Sequence, residues 1–162
     1  MSFEDDMVAD LAELEGHGLL RRPLTLDGPE RTTARLGDRE IVVFCSNDYL
    51  GLGAHRAIVA AARDGLDRHG LGSGASRLIS GTHRAHRAAE TACARWVGLP
   101  SALLFSSGYA ANLGALGALL GRGDVVFSDR LNHASLIDGI RLCRAAVHIY
   151  EHLDAGHLGA LL

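Results

Sequence analysis

Apolar residues in the first hundred positions recur at helical spacing in three separate segments. Each segment is followed by a glycine, which is a common stop signal for a helix. The segments are residues 3–15, 55–69 and 83–97, and the glycines are Gly16, Gly70 and Gly98. Between the first two helices, residues 32–36 and 40–45 flank a Gly37-Asp38 turn and predict a β-hairpin.

The pattern changes after residue 100, where short apolar runs alternate with helical segments. The predicted strands are residues 102–105, 124–127 and 145–150, and the predicted helices are residues 108–120, 133–143 and a segment starting at Asp154. This alternation is typical of an α/β fold in which helices cover both faces of a mainly parallel sheet. The helix over 108–120 is apolar on every side, so we expect other layers to cover it.

The sequence stops within its last helical pattern, which carries leucines but no cap and no polar tail. We therefore expect these residues to be the amino-terminal part of a longer protein. A short final helix that ends naturally is the alternative.

Composition and charge narrow the class of protein. Hydrophobic residues make up 48% and charged residues 22%, which is typical of a folded globular protein. The formal net charge is −3 and no basic block is present, so we expect no nucleic-acid partner. The acidic start lacks signal-peptide order, and polar residues and glycines break the most apolar stretch, 102–120, so we expect no membrane span.

The cysteines and histidines predict neither a disulfide framework nor a metal site. Cys45, Cys93 and Cys143 are distant and odd in number, which favours reduced, buried thiols in a cytoplasmic protein. His83 and His86 lie one helical turn apart, but no Glu or Cys accompanies them at zinc-site spacing.

Two segments place candidate chemistry where a predicted strand gives way to a helix. After Ser106-Ser107, the main-chain N–H groups of Gly108 and Tyr109 would open a helix, where the helix dipole also favours a phosphate. His133 follows the next strand and could stack on a planar cofactor or move a proton. The alternatives are a serine N-cap on a buried helix and a histidine that merely opens its helix.

Two loops carry less specific signals. The glycine-rich segment 70–74, followed by Ser76 and Arg77, is neither a P-loop nor a dinucleotide fingerprint, and could be a flexible surface loop. Asn47-Asp48 follows a predicted strand as an ordinary turn would.

In this order, the motifs resemble those of the α-oxoamine synthases, pyridoxal-phosphate (PLP) enzymes of fold type I. The resemblance starts near Arg21 and is carried by four blocks: NDYLGL (47–52), GSGASRLISG (72–81), FSSGYAAN (105–112) and DRLNHASLIDG (129–139). It implies an aminotransferase-like fold. Residues 1–45 would form an amino-terminal helix and hairpin segment, and residues 46–162 an incomplete large PLP-binding domain with three α/β/α layers.

The resemblance also implies roles for individual residues. Gly108 and Tyr109 would bind the PLP phosphate, and His133 would stack on the pyridine ring near the substrate. Arg21, or Arg22 beside it, would meet the acyl substrate. Asn47 would hold the amino-acid carboxylate, and Ser76 would lie near the active site of a neighbouring subunit, since the family builds its site from two subunits of a homodimer.

The implied reaction is a decarboxylative condensation of an amino acid with an acyl thioester. The branch that the motifs most resemble uses L-alanine and a pimeloyl group on CoA or acyl carrier protein; the alternatives are the glycine C-acetyltransferase branch and the other branches, which use glycine or serine. All sixteen basic residues are arginines, so the chain lacks the family's Schiff-base lysine. We expect this chain to be inactive alone, and a non-catalytic or dimerisation fragment is the alternative.

Overall fold

The computed structural model describes residues 2–28 and 32–162. Contacts between residues separate the chain into two compact units, Met1–Gly72 and Ser73–Leu162. This division reflects the contacts between residues and does not test the predicted domains. The domain boundary predicted after residue 45 stays a prediction.

The described residues of the first unit form two helices and a hairpin. Helix α1 spans Phe3–Gly16, and Ser2 and Asp5 form a reciprocal capping box at its start. Strands β1 (Thr33–Leu36) and β2 (Arg39–Val42) pair antiparallel, which confirms the hairpin. Helix α2 spans Arg56–His69 and ends at Gly70, as the glycine signal predicts.

The second unit contains four helices and a parallel pair of strands. Its helices are α3 (Arg84–Val97), α4 (Gly108–Leu119), α5 (Ala134–Cys143) and α6 (Ala155–Leu161), and its strands are β3 (Val125–Asp129) and β4 (Ala146–Tyr150). The two strands pair in parallel from Val125↔Ala146 to Asp129↔Tyr150. Since α5 connects them, β3–α5–β4 is the predicted βαβ unit.

The strand predicted over residues 102–105 does not form. This segment has no ladder partner among the described residues, since β3 and β4 pair only with each other. Two side chains bind its main chain instead: Glu90 accepts from the Leu104 N–H, and Arg77 donates to the Leu104 carbonyl. A strand needs a partner for its ladder, so apolar composition alone does not produce one.

The covering layers expected on every side of α4 are incomplete among the described residues, where α5 packs against one side of it. No residue of α4 is buried within them, and Leu119 keeps 79% of its surface exposed. One α/β unit with two strands provides too little surface to enclose an all-apolar helix. Buried positions lie instead in the turn before α3, in α3, at the end of β3 and in α5; they are Gly81, Glu90, Ala94, Ser128, Ser135, Gly139, Ile140 and Cys143.

The prediction of three buried thiols is wrong for two of them. Cys143 is buried, whereas Cys45 and Cys93 are exposed, and all three are free cysteines. Within residues 2–28 and 32–162, no helix combines the length and apolar character needed to cross a membrane.

Candidate functional site

The first turn of α4 presents main-chain N–H groups at an open helix start. Ser107 is the N-cap: its Oγ accepts from the Ala110 N–H at 3.1 Å, and its carbonyl accepts from the Ala111 N–H at 3.0 Å. The N–H groups of Gly108 and Tyr109 have no acceptor in the part of the chain that the structure describes. A Cβ added to Gly108 would meet nothing within 4 Å. The serine cap therefore leaves two N–H groups without an acceptor among the described residues, with open space beside Gly108.

Tyr109 ties this turn to α5. Its phenol hydroxyl donates to Asp138 Oδ2, and that bond to a carboxylate raises the pKa of Tyr109 above its usual value. The side chain is thus fixed as a donor while the main-chain N–H of the same residue stays unpaired. Sequence reasoning did not predict the contact with Asp138, which lies 29 positions away.

His133 is the N-cap of α5 and is exposed. Its Nδ1 lies 3.2 Å from the main-chain N of Ser135 and 2.7 Å from Ser135 Oγ. His133 therefore opens its helix, as the alternative interpretation predicted. Only Nδ1 takes part in the cap, so the cap uses neither Nε2 nor the two faces of the ring.

Ser135 joins His133 to α4. Its side chain is fully buried, and its Oγ accepts from Asn112 Nδ2 at 2.8 Å. We call Asn112, Ser135 and His133 the Ser135 cluster. Close by, α4 and α5 approach so tightly that a Cβ on Gly139 would lie 2.7 Å from Leu116 Cδ1. The contacts made by Tyr109 and Asn112 thus bring the starts of α4 and α5, with the Gly108 and Tyr109 N–H groups and His133, into one region.

Asp129 organises the carboxyl end of β3. It is the first residue of the motif 129–139, but the motif predicted no role for it. Its carboxylate accepts from the N–H groups of Leu131 at 2.8 Å and Leu153 at 3.1 Å, and lies 3.0 Å from His152 Nδ1. The Leu131 bond, then the His152 bond, lowers the pKa of Asp129. An ionised Asp129 therefore holds the loops after β3 and β4, including the loop that leads to His133.

Ser76 lies in a closed turn rather than in a simple flexible loop. Its carbonyl accepts from the N–H groups of Ile79 at 3.1 Å and Gly81 at 2.9 Å, and Ser73 Oγ donates to the Gly81 carbonyl. A Cβ on Gly81 would lie 1.9 Å from the Ala75 carbonyl oxygen, so the turn closes only around a glycine.

An ion pair with a buried carboxylate supports this turn. Glu90, with 6% of its surface exposed, binds Arg77 Nη1 at 2.7 Å and the Leu104 N–H at 3.0 Å. These bonds, that of Arg77 first, lower the pKa of Glu90 to about 2. Arg87 adds a longer contact at 3.3 Å. We call Arg77, Glu90 and the Leu104 main chain the Glu90 cluster.

The remaining predicted site residues belong to the first unit. Arg21 and Asn47 are both exposed, and Asn47 Oδ1 lies 3.5 Å from the Tyr49 hydroxyl. Arg22 pairs with Glu15 at 2.6 Å, so the two neighbouring arginines differ in their surroundings. The sequence motif around Asn47 forms a turn closed by Asp48, which accepts from the Leu52 and Gly53 N–H groups.

His83 and His86 cap a helix. His83 is the N-cap of α3, and His86 Nδ1 accepts from the His83 N–H at 3.0 Å. Their spacing of one helical turn is explained by this cap.

Comparisons with known proteins place the chain in one family. The sequence profile of the family described as "Aminotransferase class I and II" matches residues 39–162. Proteins named 8-amino-7-oxononanoate synthase from Paraburkholderia phymatum and Burkholderia vietnamiensis are 49% and 52% identical over 100% and 98% of this chain. The chain spans 42% and 40% of those two proteins.

Solved structures agree with the fold. Sphingomonas wittichii serine palmitoyltransferase superposes with a TM-score of 0.82 at 31% identity, covering 96% of this chain and 40% of that one. The 8-amino-7-oxononanoate synthase from Francisella tularensis gives 0.63 at 32% identity, covering 73% of this chain and 33% of that one. Since the family profile covers well over half of its residues, this chain belongs to the class I and II aminotransferase family.

Proposed function

We propose that the protein containing this chain is a PLP enzyme that condenses L-alanine with a pimeloyl thioester to give 8-amino-7-oxononanoate, with loss of CO2. One observation carries the proposal. In a chain about half identical to proteins of that name, the N–H pair of Gly108 and Tyr109 and the imidazole of His133 lie at two helix starts in contact.

The residues fit the phosphate of PLP. Two unpaired N–H groups at a helix start provide directed donors, and the helix dipole favours the negative charge. Gly108 leaves the approach open, since no atom lies within 4 Å of its missing Cβ. The Tyr109 side chain is already held by Asp138, so anion binding by its main chain requires no rearrangement of the phenol.

His133 fits the planar part of the cofactor. The imidazole is exposed, but its cap bonds to Ser135 restrict its rotation, so it offers an oriented flat face. When bound, PLP supplies an electron sink for the electron pair released at the amino-acid Cα. The task of His133 is to keep the ring plane fixed and to exclude water from one side of it.

The other roles are parts of the same proposal. Arg21 binds the acyl substrate, Asn47 binds the alanine carboxylate, and Ser76 faces the site of a second subunit in a homodimer. A cytoplasmic location also belongs to the proposal. No lysine occurs among the 162 residues, so the lysine that anchors PLP is proposed to lie outside them.

The phosphate site is tested in the complete protein with Gly108→Pro. Proline is accepted at the first position of a helix but lacks the N–H, and the extended Ser107 (φ −157°, ψ 160°) suits a following proline. A hydrogen bond to a charged group contributes about 1.5–3 kcal/mol, so we expect PLP affinity to fall about tenfold to hundredfold.

Gly108→Ala is the matched variant, because it keeps the N–H and adds its methyl to open space. PLP titration followed by absorbance should rank wild type and Gly108→Ala above Gly108→Pro. Equal affinities for the proline and alanine variants would remove Gly108 from the phosphate site.

The reaction is tested by product analysis. The complete protein is supplied with pimeloyl-CoA or pimeloyl acyl carrier protein and with alanine, glycine or serine in turn. The proposal requires 8-amino-7-oxononanoate from alanine as the main product. A preference for glycine or serine would assign another α-oxoamine synthase reaction, and a protein that ignores PLP would end the proposal.

A further inference from the structure

The hydrogen bonds at His133 decide which ring nitrogen carries the proton in the neutral imidazole. A main-chain N–H can only donate, and that of Ser135 lies against His133 Nδ1 at 3.2 Å. That bond forms only when Nδ1 accepts, so it favours the tautomer that carries the proton on Nε2. The nitrogen outside the cap is thus an N–H donor.

The Ser135 hydroxyl can strengthen this arrangement only if its proton faces His133. Asn112 provides that condition, since its Nδ2 donates to Ser135 Oγ at 2.8 Å and occupies a lone pair of the oxygen. The hydroxyl proton is then available for His133 Nδ1 at 2.7 Å. Ser135 is fully buried, so water does not compete for its hydroxyl.

We propose that Asn112 and Ser135 are positioning residues that hold His133 as the Nε2–H tautomer with a fixed ring plane. The inference rests on the proposed function for the identity of what His133 meets. It adds that His133, when its imidazole is neutral, carries its N–H on Nε2, outside the cap. Asn112 and Ser135 act through His133 and need not touch cofactor or substrate themselves.

The chain contains a matched pair that lacks this connection. Asn132 Nδ2 donates to Ser128 Oγ at 2.9 Å, and Ser128 is also buried, with 5% of its surface exposed. Ser128 Oγ lies near the Asp129 carbonyl, at 3.4 Å, rather than near an imidazole. The two Asn–Ser pairs have the same chemistry, and only the Asn112 pair reaches a histidine.

The test reads the tautomer directly. The complete protein, labelled with ¹⁵N-histidine, is studied by long-range ¹H–¹⁵N correlation at a pH where imidazole is neutral, and His133→Gln assigns the signal. Wild type should show an unprotonated Nδ1 and a protonated Nε2. Asn112→Asp replaces the donor with an acceptor, turns the Ser135 hydroxyl away from His133, and should shift the Nδ1 signal towards the protonated form.

Asn132→Asp is the control: its new charge next to His133 can move both ring signals slightly, but Nδ1 should stay unprotonated and Nε2 protonated, as in wild type. A protonated Nδ1 in wild type overturns the inference without any variant, so the test does not depend on Asn112→Asp folding. An unchanged Nδ1 signal in a folded Asn112→Asp protein overturns it as well. PLP binding is measured on the same samples, because failure to bind PLP contradicts the proposed function and leaves the tautomer result standing.

Discussion

The Glu90 cluster and the Ser135 cluster both bury a polar side chain on a helix, but they use opposite kinds of chemistry. Glu90 is charged, is paired with Arg77, and binds the main chain of Leu104. Ser135 is neutral. Its Oγ accepts a hydrogen bond from Asn112 and lies within hydrogen-bond distance of His133 Nδ1. The charged cluster holds a segment that lacks a strand partner, whereas the neutral cluster orients one side chain.

The two kinds of chemistry suit different structural tasks. The attraction between two charges weakens only gradually as they move apart. The Glu90 cluster can therefore stabilise a turn without fixing its atoms in one exact geometry. In a chain of neutral hydrogen bonds, each group must either donate or accept at a fixed position. The Ser135 cluster can therefore favour one tautomer of His133. A glycine also lies near each cluster: Gly81 closes the turn that the Glu90 cluster supports, and Gly139 lies where α5 approaches α4 beside the Ser135 cluster.

The largest effect is expected from Gly81→Ala. The new Cβ would lie 1.9 Å from the Ala75 carbonyl oxygen and 2.8 Å from that of Ser76, and main-chain atoms cannot move aside as a side chain can. Overpacking of this kind costs about 3 kcal/mol or more, so urea denaturation of the complete protein should show that loss.

Gly74→Ala is the control within the same segment. A Cβ at Gly74 meets nothing within 4 Å, and its φ lies outside the left-handed region. We expect a change within about 0.5 kcal/mol. If both variants lose the same stability, the closed turn around Ser76 is not what the glycine at 81 protects.

The second effect concerns the charge of Glu90 and its dependence on pH. Folding lowers the pKa of Glu90 from 4.5 to about 2, so its ionisation stabilises the native state above pH 4.5. That contribution falls as the pH drops from 4.5 towards 2. Glu90→Gln keeps the shape and removes the charge, so it should destabilise the complete protein at neutral pH.

The deficit of Glu90→Gln should shrink between pH 4.5 and 2, because the Glu90 carboxyl of the unfolded chain takes up a proton in this range while that of the native state stays ionised until about pH 2. Glu151→Gln is the comparison, since Glu151 pairs with Arg130 at the surface with half of its side chain exposed. An exposed pair contributes about 0–1 kcal/mol, so this variant should change stability little at any pH. A constant deficit for Glu90→Gln across the range would show that shape, and not charge, matters at position 90.

Local signals predict the helices well, since caps and stop residues act over a few positions. The glycine signals at Gly70 and Gly98 mark the ends of α2 and α3, and the turn before Gly108 marks the start of α4. The segment 102–105 fails for the opposite reason. Strand formation depends on a partner elsewhere in the chain, and the sequence pattern does not say whether one is present.

Some residues of the candidate site follow from local sequence signals, and others depend on contacts between distant positions. The open N–H groups of Gly108 and Tyr109 follow from a turn and a helix start, which the sequence shows directly. The role of Ser135 depends on Asn112, 23 positions away, and no local pattern connects the two. One signal was available: Asn112 is the only amide side chain in α4, a helix otherwise rich in Ala, Leu and Gly.

The third effect tests the close approach at the Ser135 cluster. Gly139→Ala would place a Cβ 2.7 Å from Leu116 Cδ1 and 3.3 Å from Leu116 Cβ, so α4 and α5 must separate slightly. Overpacking and the better helix propensity of alanine oppose each other, and we expect a net loss of about 1–2 kcal/mol by urea denaturation. The separation should also weaken the Asn112–Ser135 bond.

The control is Gly65→Ala in α2, where a Cβ meets nothing within 4 Å. There only the propensity gain remains, so stability should rise by about 0.5–1 kcal/mol. The same substitution in two helices should therefore have opposite signs. A stabilising Gly139→Ala would mean that α4 and α5 do not need the glycine contact.

The smallest effect is expected from Ser107→Ala, which removes the cap of α4 without touching either cluster. The Ala110 N–H loses its acceptor, and a cap of this kind contributes about 1 kcal/mol, which urea denaturation of the complete protein measures. Ser106→Ala is the matched control, because Ser106 has no side-chain bond among the described residues and should change stability by less than about 0.5 kcal/mol. Fraying of the first turn should also reduce PLP affinity, since it misaligns the Gly108 and Tyr109 N–H groups, while the His133 tautomer stays as in wild type. A Ser107→Ala protein that shifts the His133 signals would show that the cap and the Ser135 cluster are one unit.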